Sequence, residues 1–447
     1  MKAKNVFLFI AAVLAGLGVL CIVLPHRLQV GTRTLKWPTL AEVFSEKNAV
    51  PDTPDVPDSP ENPDIPETPE VQDTVPAKPK PVIPKVVVDS TADSRMFLRP
   101  FYESLSETGE RVVRVVHYGD SQIEEDRMTS QIRDHLQNRY GGRGVGLMPV
   151  AQTIPSTTVR QELFMNGHLV NPYMGPRRYL VYAGRDLQRK DGKYGMMGQM
   201  IYMADSLADG SEYIKAVCRP LNKAKEYTRW KVFADSTVNY YHYGDTIYLQ
   251  GKGAVYGMSQ ESDTGIIVDN IPMRGCLGLV FTKIDSTLLS TFYQSENVRL
   301  IIMQFGGNAI PFNETPSTIS AIVKGLRDQV HYIRSCAPEA AILFIGPSDM
   351  MRQSEGEWET YPMVPYMDKL LRKMALEENI AYFSLYRWMG GRGSMLRWQE
   401  NGLAGSDGVH FNRVGAKKAG NAIANWLIEG IDNWTIDDLT IDDLTID

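Results

Sequence analysis

Val112-Val-Arg-Val-Val-His-Tyr-Gly-Asp-Ser121-Gln122 decides how this chain folds. A run dominated by β-branched residues stops at Gly119-Asp120-Ser121. Behind it, from Arg127 to Tyr140, Met128, Ile132 and Leu136 fall four apart, and Gly141-Gly142 ends the pattern. The order predicts a buried strand, a tight turn and an amphipathic helix closed by glycine. Ser121 then lies at the carboxyl end of a strand, where open α/β sheets place their chemistry. Its own amide and the nearby helix N-terminus can hold a negative oxygen there. A serine so placed is a nucleophile candidate that needs a base, an acid to orient the base, and further oxyanion donors.

Downstream, from about Gly144 to Asp263, helical periodicity is weak. Short runs rich in Tyr, Val and Thr, such as Arg178-Tyr-Leu-Val-Tyr, Trp230-Lys-Val-Phe and Asp245-Thr-Ile-Tyr-Leu, are broken by Gly, Asp and Asn. This predicts an inserted β-sandwich over residues 144–263. Strand and helix patterns then alternate: strands at Gly265-Ile-Ile-Val, Val298-Arg-Leu-Ile-Ile-Met-Gln-Phe, Ala340-Ala-Ile-Leu-Phe-Ile and Ile380-Ala-Tyr-Phe-Ser-Leu. The helices run from about Ser317 to Arg334, from about Pro362 to Glu378, and from Arg413 to Ile428 behind the N-cap Asn412. Alternation of this kind implies a mainly parallel sheet covered on both faces, split by the insert into residues 86–143 and 264–430.

The base is found by elimination among seven histidines. His26 is beside an apolar segment, His168 and His242 lie in the β region, His135 and His331 within helices, and His117 on the strand before the turn. His410 remains. Asp407-Gly408-Val409-His410 puts a carboxylate three residues before an imidazole in the loop ahead of the last helix, where Asp407 can accept the Nδ1 proton while Nε2 faces a serine. After the Val298 strand, Gly306-Gly307-Asn308 offers an exposed amide donor. Gly275, after the Ile266 strand, offers a backbone one beside that of Ser121. All of these lie at carboxyl ends of predicted strands.

Upstream, Asn5 to Leu24 is an almost unbroken apolar stretch of 20 residues behind Lys2 and Lys4. That length suits a membrane-crossing helix, and bulky Leu20 and Val23-Leu24-Pro25 favour an uncleaved anchor over its two alternatives, a cleaved signal peptide and lipidation at Cys21. Residues 1–27 are therefore read as an uncleaved single-pass anchor in a bacterial inner membrane, and 28–50 as a juxtamembrane segment. From Pro51 to Pro69 every third residue is proline and each is followed by an acid. Polyproline II has three residues per turn, so residues 51–85 form a stalk of about 110 Å, which places the body in the periplasm or otherwise outside the cytoplasmic membrane. This stalk carries −5 of the net charge of −6. The remainder has no basic footprint for nucleic acid. Four scattered cysteines, Cys21, Cys218, Cys276 and Cys336, make neither a disulfide framework nor a metal-binding pattern. The acidic repeat over 431–447, Ile436-Asp-Asp-Leu-Thr and its copies, is expected to be disordered.

Gly119-Asp120-Ser121, Gly275, Gly306-Gly307-Asn308 and Asp407-Gly408-Val409-His410 together resemble the four sequence blocks of the SGNH (GDSL-type) hydrolases, with Gln122 where leucine is usual. The resemblance implies a three-layer flavodoxin-like sheet, Ser121 as nucleophile, His410 as general base and Asp407 as its orienting acid. It also implies an oxyanion hole made by the Ser121 and Gly275 amides and the Asn308 side chain, with no metal or cofactor. The insert, ending in Gly253-Ala-Val-Tyr-Gly-Met-Ser, resembles the carbohydrate-binding-like insertion of bacterial peptidoglycan O-acetylesterases. The expectation is an envelope-anchored esterase removing acetyl groups from a polysaccharide such as peptidoglycan. A polysaccharide O-acetyltransferase with the same triad, a non-catalytic glycan-binding protein and a lipase or thioesterase stand as alternatives. Tyr240, Tyr241, Tyr243 and Trp230 are candidates to stack on sugars or to fill the insert's core.

Overall fold

The computed structural model describes residues 27–30, 33–36 and 93–442, apart from 151, 153, 166–167, 170–179, 183–198, 204–213, 222–226, 235 and 252 in the insert. The apolar segment at 5–24, the proline stalk and the last five residues lie outside the described residues. Among the described residues no helix is long and apolar enough to cross a membrane. Arg27–Val30 and Arg33–Lys36 form a small antiparallel hairpin in a unit of their own, Met1–Ala77.

The second unit, Lys78–Asp447, is built on a five-stranded sheet. Its strands are β1 (Val112–Gly119), β2 (Gly265–Pro272), β3 (Val298–Gln304), β4 (Ala341–Gly346) and β5 (Ala381–Ser384). Their spatial order is β2-β1-β3-β4-β5 and every pairing is parallel. This is the doubly wound flavodoxin-like order, in which the crevice opens where the order reverses, between β1 and β3. Every residue of β1 is buried, as a strand covered on both faces requires.

The longer helices that cover the sheet include α1 (Thr129–Tyr140), α2 (Ser286–Ser295), α3 (Pro316–Cys336), α4 (Val364–Glu377) and α5 (Arg413–Asp442). The period of two along each strand divides the core. Val113, Val115, Leu300 and Ile302 face Ile132 and Leu136 of α1 and Ala419 and Ile423 of α5. Val116, Tyr118, Ile301 and Met303 face Phe292 of α2, Val323 and Leu326 of α3 and Leu371 of α4.

Several boundaries differ from those expected. The sequence reading contains no α2, although Asp285 caps it by accepting from the Leu288 amide at 2.9 Å. α4 begins at Val364, with Pro365 rather than Pro362 in its first turn. The acidic tail is also corrected: α5 does not stop at Ile428 but runs to Asp442. Ile431 is buried, and Trp434 packs against Tyr102 with ring centroids 6.2 Å apart. Those two contacts carry the helix past Ile428, and extending an existing helix needs no new nucleus.

The insert forms two antiparallel sheets. One contains Gly146–Met148, Arg229–Ala234 and Gly253–Glu261, and the other contains Val159–Met165, Ile214–Pro220, Val238–Tyr243 and Thr246–Gly251. They share a core of Leu163, Ile214, Ile247 and Leu249 from one sheet with Trp230, Val255 and Met258 from the other. Insert and sheet meet at a buried ionic cluster. Arg114 of β1, fully buried, is ion-paired to Glu261 at the insert's exit, to Asp269 of β2 at 2.9 Å and to Glu296 behind α2 at 3.0 Å. Asp269 also accepts from the Leu147 amide at 2.7 Å.

Candidate active site

The parallel registers align Pro272, Gly119 and Gln304 at the ends of β2, β1 and β3. The loops that leave this row carry the predicted site. After Gly119 the chain does not enter a helix at once: Asp120 caps a 3-10 turn, Ser121–Asp126, by accepting from the Gln122 amide at 3.0 Å. Ser121 therefore opens the turn.

The loop ahead of α5 brings His410 to it. Ser121 Oγ lies 2.8 Å from His410 Nε2, and His410 Nδ1 lies 2.7 Å from Asp407 Oδ2. Asp407 Oδ1 accepts from the Val409 and His410 amides, each at 2.9 Å, so the short Asp-x-x-His loop wraps its own carboxylate. Burial pushes that carboxyl upward, but the His410 amide and ring and the Val409 amide outweigh it, and Asp407 sits below its ordinary pKa. An anion there fixes the proton on Nδ1 and leaves Nε2 to accept from the serine. Gly408 takes φ +69°, and a Cβ on it would come within 2.9 Å of the Trp358 ring, so this corner admits only glycine.

Asn308 follows β3 through Gly306 at φ +116° and borders the same cavity. Its Nδ2 donates to Asp120 Oδ2 at 3.1 Å and to the Cys276 carbonyl at 3.2 Å. One of these bonds must be exchanged if the amide is to serve an oxyanion. Gly275 turns with φ +70° one residue before Cys276 and is not among the residues that line the cavity. The structure thus brings Ser121, His410, Asp407 and Asn308 together, and it leaves Gly275 beside the wall. His117 is a core histidine. Its nitrogens meet Gln304 and Thr129, and burial lowers its pKa to about 3.

Three further residues hold the site. Gln122 reaches across to the histidine loop, donating to the Val409 carbonyl at 2.8 Å and accepting from the Phe411 amide at 3.3 Å. A leucine could make neither bond. Arg127 donates to the Phe411 carbonyl at 2.8 Å and to the Ser121 carbonyl at 3.3 Å, spanning the two loops from the other side. Asp120 is buried beneath Asn308, and burial lifts its pKa to about 6 despite the Gln122 amide and nearby His410. As an anion Asp120 favours a positive imidazolium; as the acid it does not. The acid limb of kcat/KM for ester cleavage should therefore include a step near pH 6 that Asp120→Asn removes. A pH–rate profile of the two proteins checks this, and an unchanged profile in the variant excludes Asp120 from the titration.

The cavity at Ser121 is about 100 Å³, walled by Phe305, Pro311, Phe312, Pro347, Met350 and Leu385. In the insert, Trp230 is core, donating to the Gly244 carbonyl at 3.1 Å, whereas Tyr240, Tyr241 and Tyr243 are exposed. Cys218, Cys276 and Cys336 are free thiols.

No protein-family model matches the chain, and no curated protein matches it. Its fold does match solved structures. A peptidoglycan O-acetylesterase superposes with a TM-score of 0.59 at 18% identity, over 77% of this chain and 98% of that one. A carbohydrate acetylesterase from Sinorhizobium meliloti (TM-score 0.30, 14% identity, 71% and 99% covered) and an acetyl xylan esterase (0.26, 13%, 37% and 80%) are too distant to add to it. The class defined by the sheet order and the site at its switch point is a three-layer α/β fold with its chemistry on the carboxyl edge. More narrowly, the chain shares its fold with that solved O-acetylesterase.

Proposed function

We propose that this protein is a serine esterase that removes O-acetyl groups from an envelope polysaccharide, with peptidoglycan as the polymer of first choice. The observation that carries the reading is the relay Ser121 Oγ, His410 Nε2, His410 Nδ1, Asp407 Oδ2, with both links at 2.8 Å or less, opening on a cavity. In this mechanism Ser121 attacks the acetyl carbonyl as His410 takes its proton. The Ser121 amide and Asn308 support the oxyanion, and the sugar hydroxyl leaves with the proton from His410. Water, activated by His410, then releases acetate.

The small cavity favours a short acyl group over a fatty chain. His410 and Asp407 have side chains 40% and 51% exposed. Water can therefore reach the acyl-enzyme, which favours hydrolysis over transfer to a second glycan. The polymer substrate and the anchored, extracytoplasmic location rest on the apolar segment at 5–24 and the proline stalk.

The test is incubation of the purified protein with O-acetylated peptidoglycan, with acetylated xylan and with a small acetyl ester. Acetate released from peptidoglycan in preference to xylan supports the full reading. Acetate from the small ester alone supports the chemistry and removes the substrate. Acetyl groups appearing on an added glycan acceptor would establish the transferase instead.

A further inference from the structure

The turn that carries Ser121 is held from the β insert as well as from the α/β body, where Asn270 donates to the Ile123 carbonyl at 3.2 Å and Arg274 pairs with Glu124 at 2.9 Å. Glu125 and Asp126 are consecutive non-glycine residues with φ +60° and +59°, a conformation that L side chains rarely adopt and that persists only where surrounding contacts impose it. Two residues of the β insert supply several of those contacts, beside Arg133 of α1 and Arg413 of α5, which pairs with Glu125 at 3.5 Å. The Glu125 carbonyl accepts from the Thr157 amide at 2.8 Å and from the Thr157 hydroxyl at 2.9 Å. The Asp126 carboxylate accepts from the Thr158 hydroxyl at 2.6 Å, and buried Arg133 of α1 holds the same carboxylate at 2.6 and 3.2 Å. Thr158 is in turn fixed within the insert, its carbonyl accepting from Leu221 at 2.8 Å.

Arg127 follows this pair directly, and its guanidinium joins the Ser121 and Phe411 carbonyls. A rotation of the 125–126 backbone would swing Arg127 off both, and with it the register between the serine loop and the histidine loop. From this chain of contacts we infer that the insert is part of the catalytic apparatus, with Thr157 and Thr158 as positioning residues for Ser121. The alternative is an appended module whose only task is to hold polymer. The two differ for a substrate too small to touch the insert: an appended module leaves its turnover alone, whereas a positioning element does not.

The inference rests on the esterase reading, and the experiment separates the two. Full-length protein, Thr157→Val/Thr158→Val, Thr158→Ser and His242→Ala are compared on a small acetyl ester. The rate at which a small fluorophosphonate forms a bond from phosphorus to Ser121 Oγ with loss of fluoride is measured alongside, as is the thermal midpoint. The double valine variant should lose about tenfold or more in kcat and in phosphonylation rate, since small displacements of reacting atoms cost that much, with KM nearly unchanged. Thr158→Ser, which keeps the hydroxyl, and His242→Ala, on the insert's exposed surface, should match wild type. A folded double variant with undiminished kcat and phosphonylation overturns this inference alone. Wild-type protein inert to both ester and phosphonate overturns the esterase reading and the inference with it. If the double variant is poorly folded, Thr158→Val alone decides on the same criteria.

Discussion

Ser121→Ala should lower kcat for acetyl-ester hydrolysis by about 10⁴-fold or more, and His410→Ala should do the same, while both variants keep the wild-type thermal midpoint. The expectation follows from the 2.8 Å contact between Ser121 Oγ and His410 Nε2. Without Oγ there is no acyl-enzyme, and without the imidazole the hydroxyl must be deprotonated by water. The losses should not add in the double variant, because either deletion already disables the same step. Asp407→Asn should cost less, about 10² to 10⁴-fold, because the imidazole remains and only its orientation and tautomer suffer. Asp407 also accepts the Val409 and His410 amides, so this variant should lose some loop order as well as activity. Acetate release and titration with a fluorophosphonate measure all four proteins. Ser121→Ala hydrolysing acetyl esters at the wild-type rate would remove the serine mechanism altogether.

Much of the architecture is local in origin and so was legible in the sequence. The β1 run ends at Gly119-Asp120-Ser121, Asn412 accepts from the Val414 and Gly415 amides at 3.0 Å, and Asp407 folds back on His410 within four residues. In each case the partners are neighbours in the chain. What the sequence concealed depends on contacts between distant segments. Gln122 reads as a departure from leucine until the Val409 carbonyl, 287 positions on, is seen to accept from it. The φ values of Glu125 and Asp126 are not foretold as a pair, since Asp tolerates a left-handed backbone but Glu does not favour one, and the Thr157 contact to the Glu125 carbonyl is 32 positions away. The acidic tail misleads in the opposite sense. Its composition suggests disorder, but Ile431 and Trp434 in its first residues dock the helix that runs on through it.

Arg114 is the clearest case of a residue whose meaning is set at long range, and its replacement should have the largest effect on stability. In the sequence it is a polar interruption in an apolar strand. In the structure it has no solvent exposure and holds Glu261, Asp269 and Glu296, which arrive from the insert's last strand, from β2 and from behind α2. Arg114→Met keeps much of the volume but leaves three carboxylates with only Lys231, 2.7 Å from Glu296 and 3.3 Å from Glu261, and Arg229, 2.8 Å from Glu261, to balance them. Removing one partner from a buried ionic cluster costs roughly 3–5 kcal/mol, a fall in thermal midpoint on the order of 10 °C. Arg114→Met/Glu261→Gln/Asp269→Asn should recover part of it, because the cost comes from stranded charge rather than lost packing. Burial raises the Glu261 carboxyl, but Arg114 foremost and then Lys231 overcome it and bring its pKa to about 2 from 4.5. Asp269 is lifted by its deeper burial despite the same guanidinium, and it accepts from Arg114 and from the Leu147 amide. A depressed carboxylate stabilises the fold above its unfolded pKa, and that contribution is lost as pH falls through the folded one. Between about pH 4.5 and 2 the wild type should therefore lose stability more steeply than Arg114→Met, the two curves converging at the acid end. Urea denaturation at stepped pH measures both, and parallel curves, or a variant within about 1 kcal/mol of wild type at pH 7, would show that the cluster does not hold the insert to the sheet.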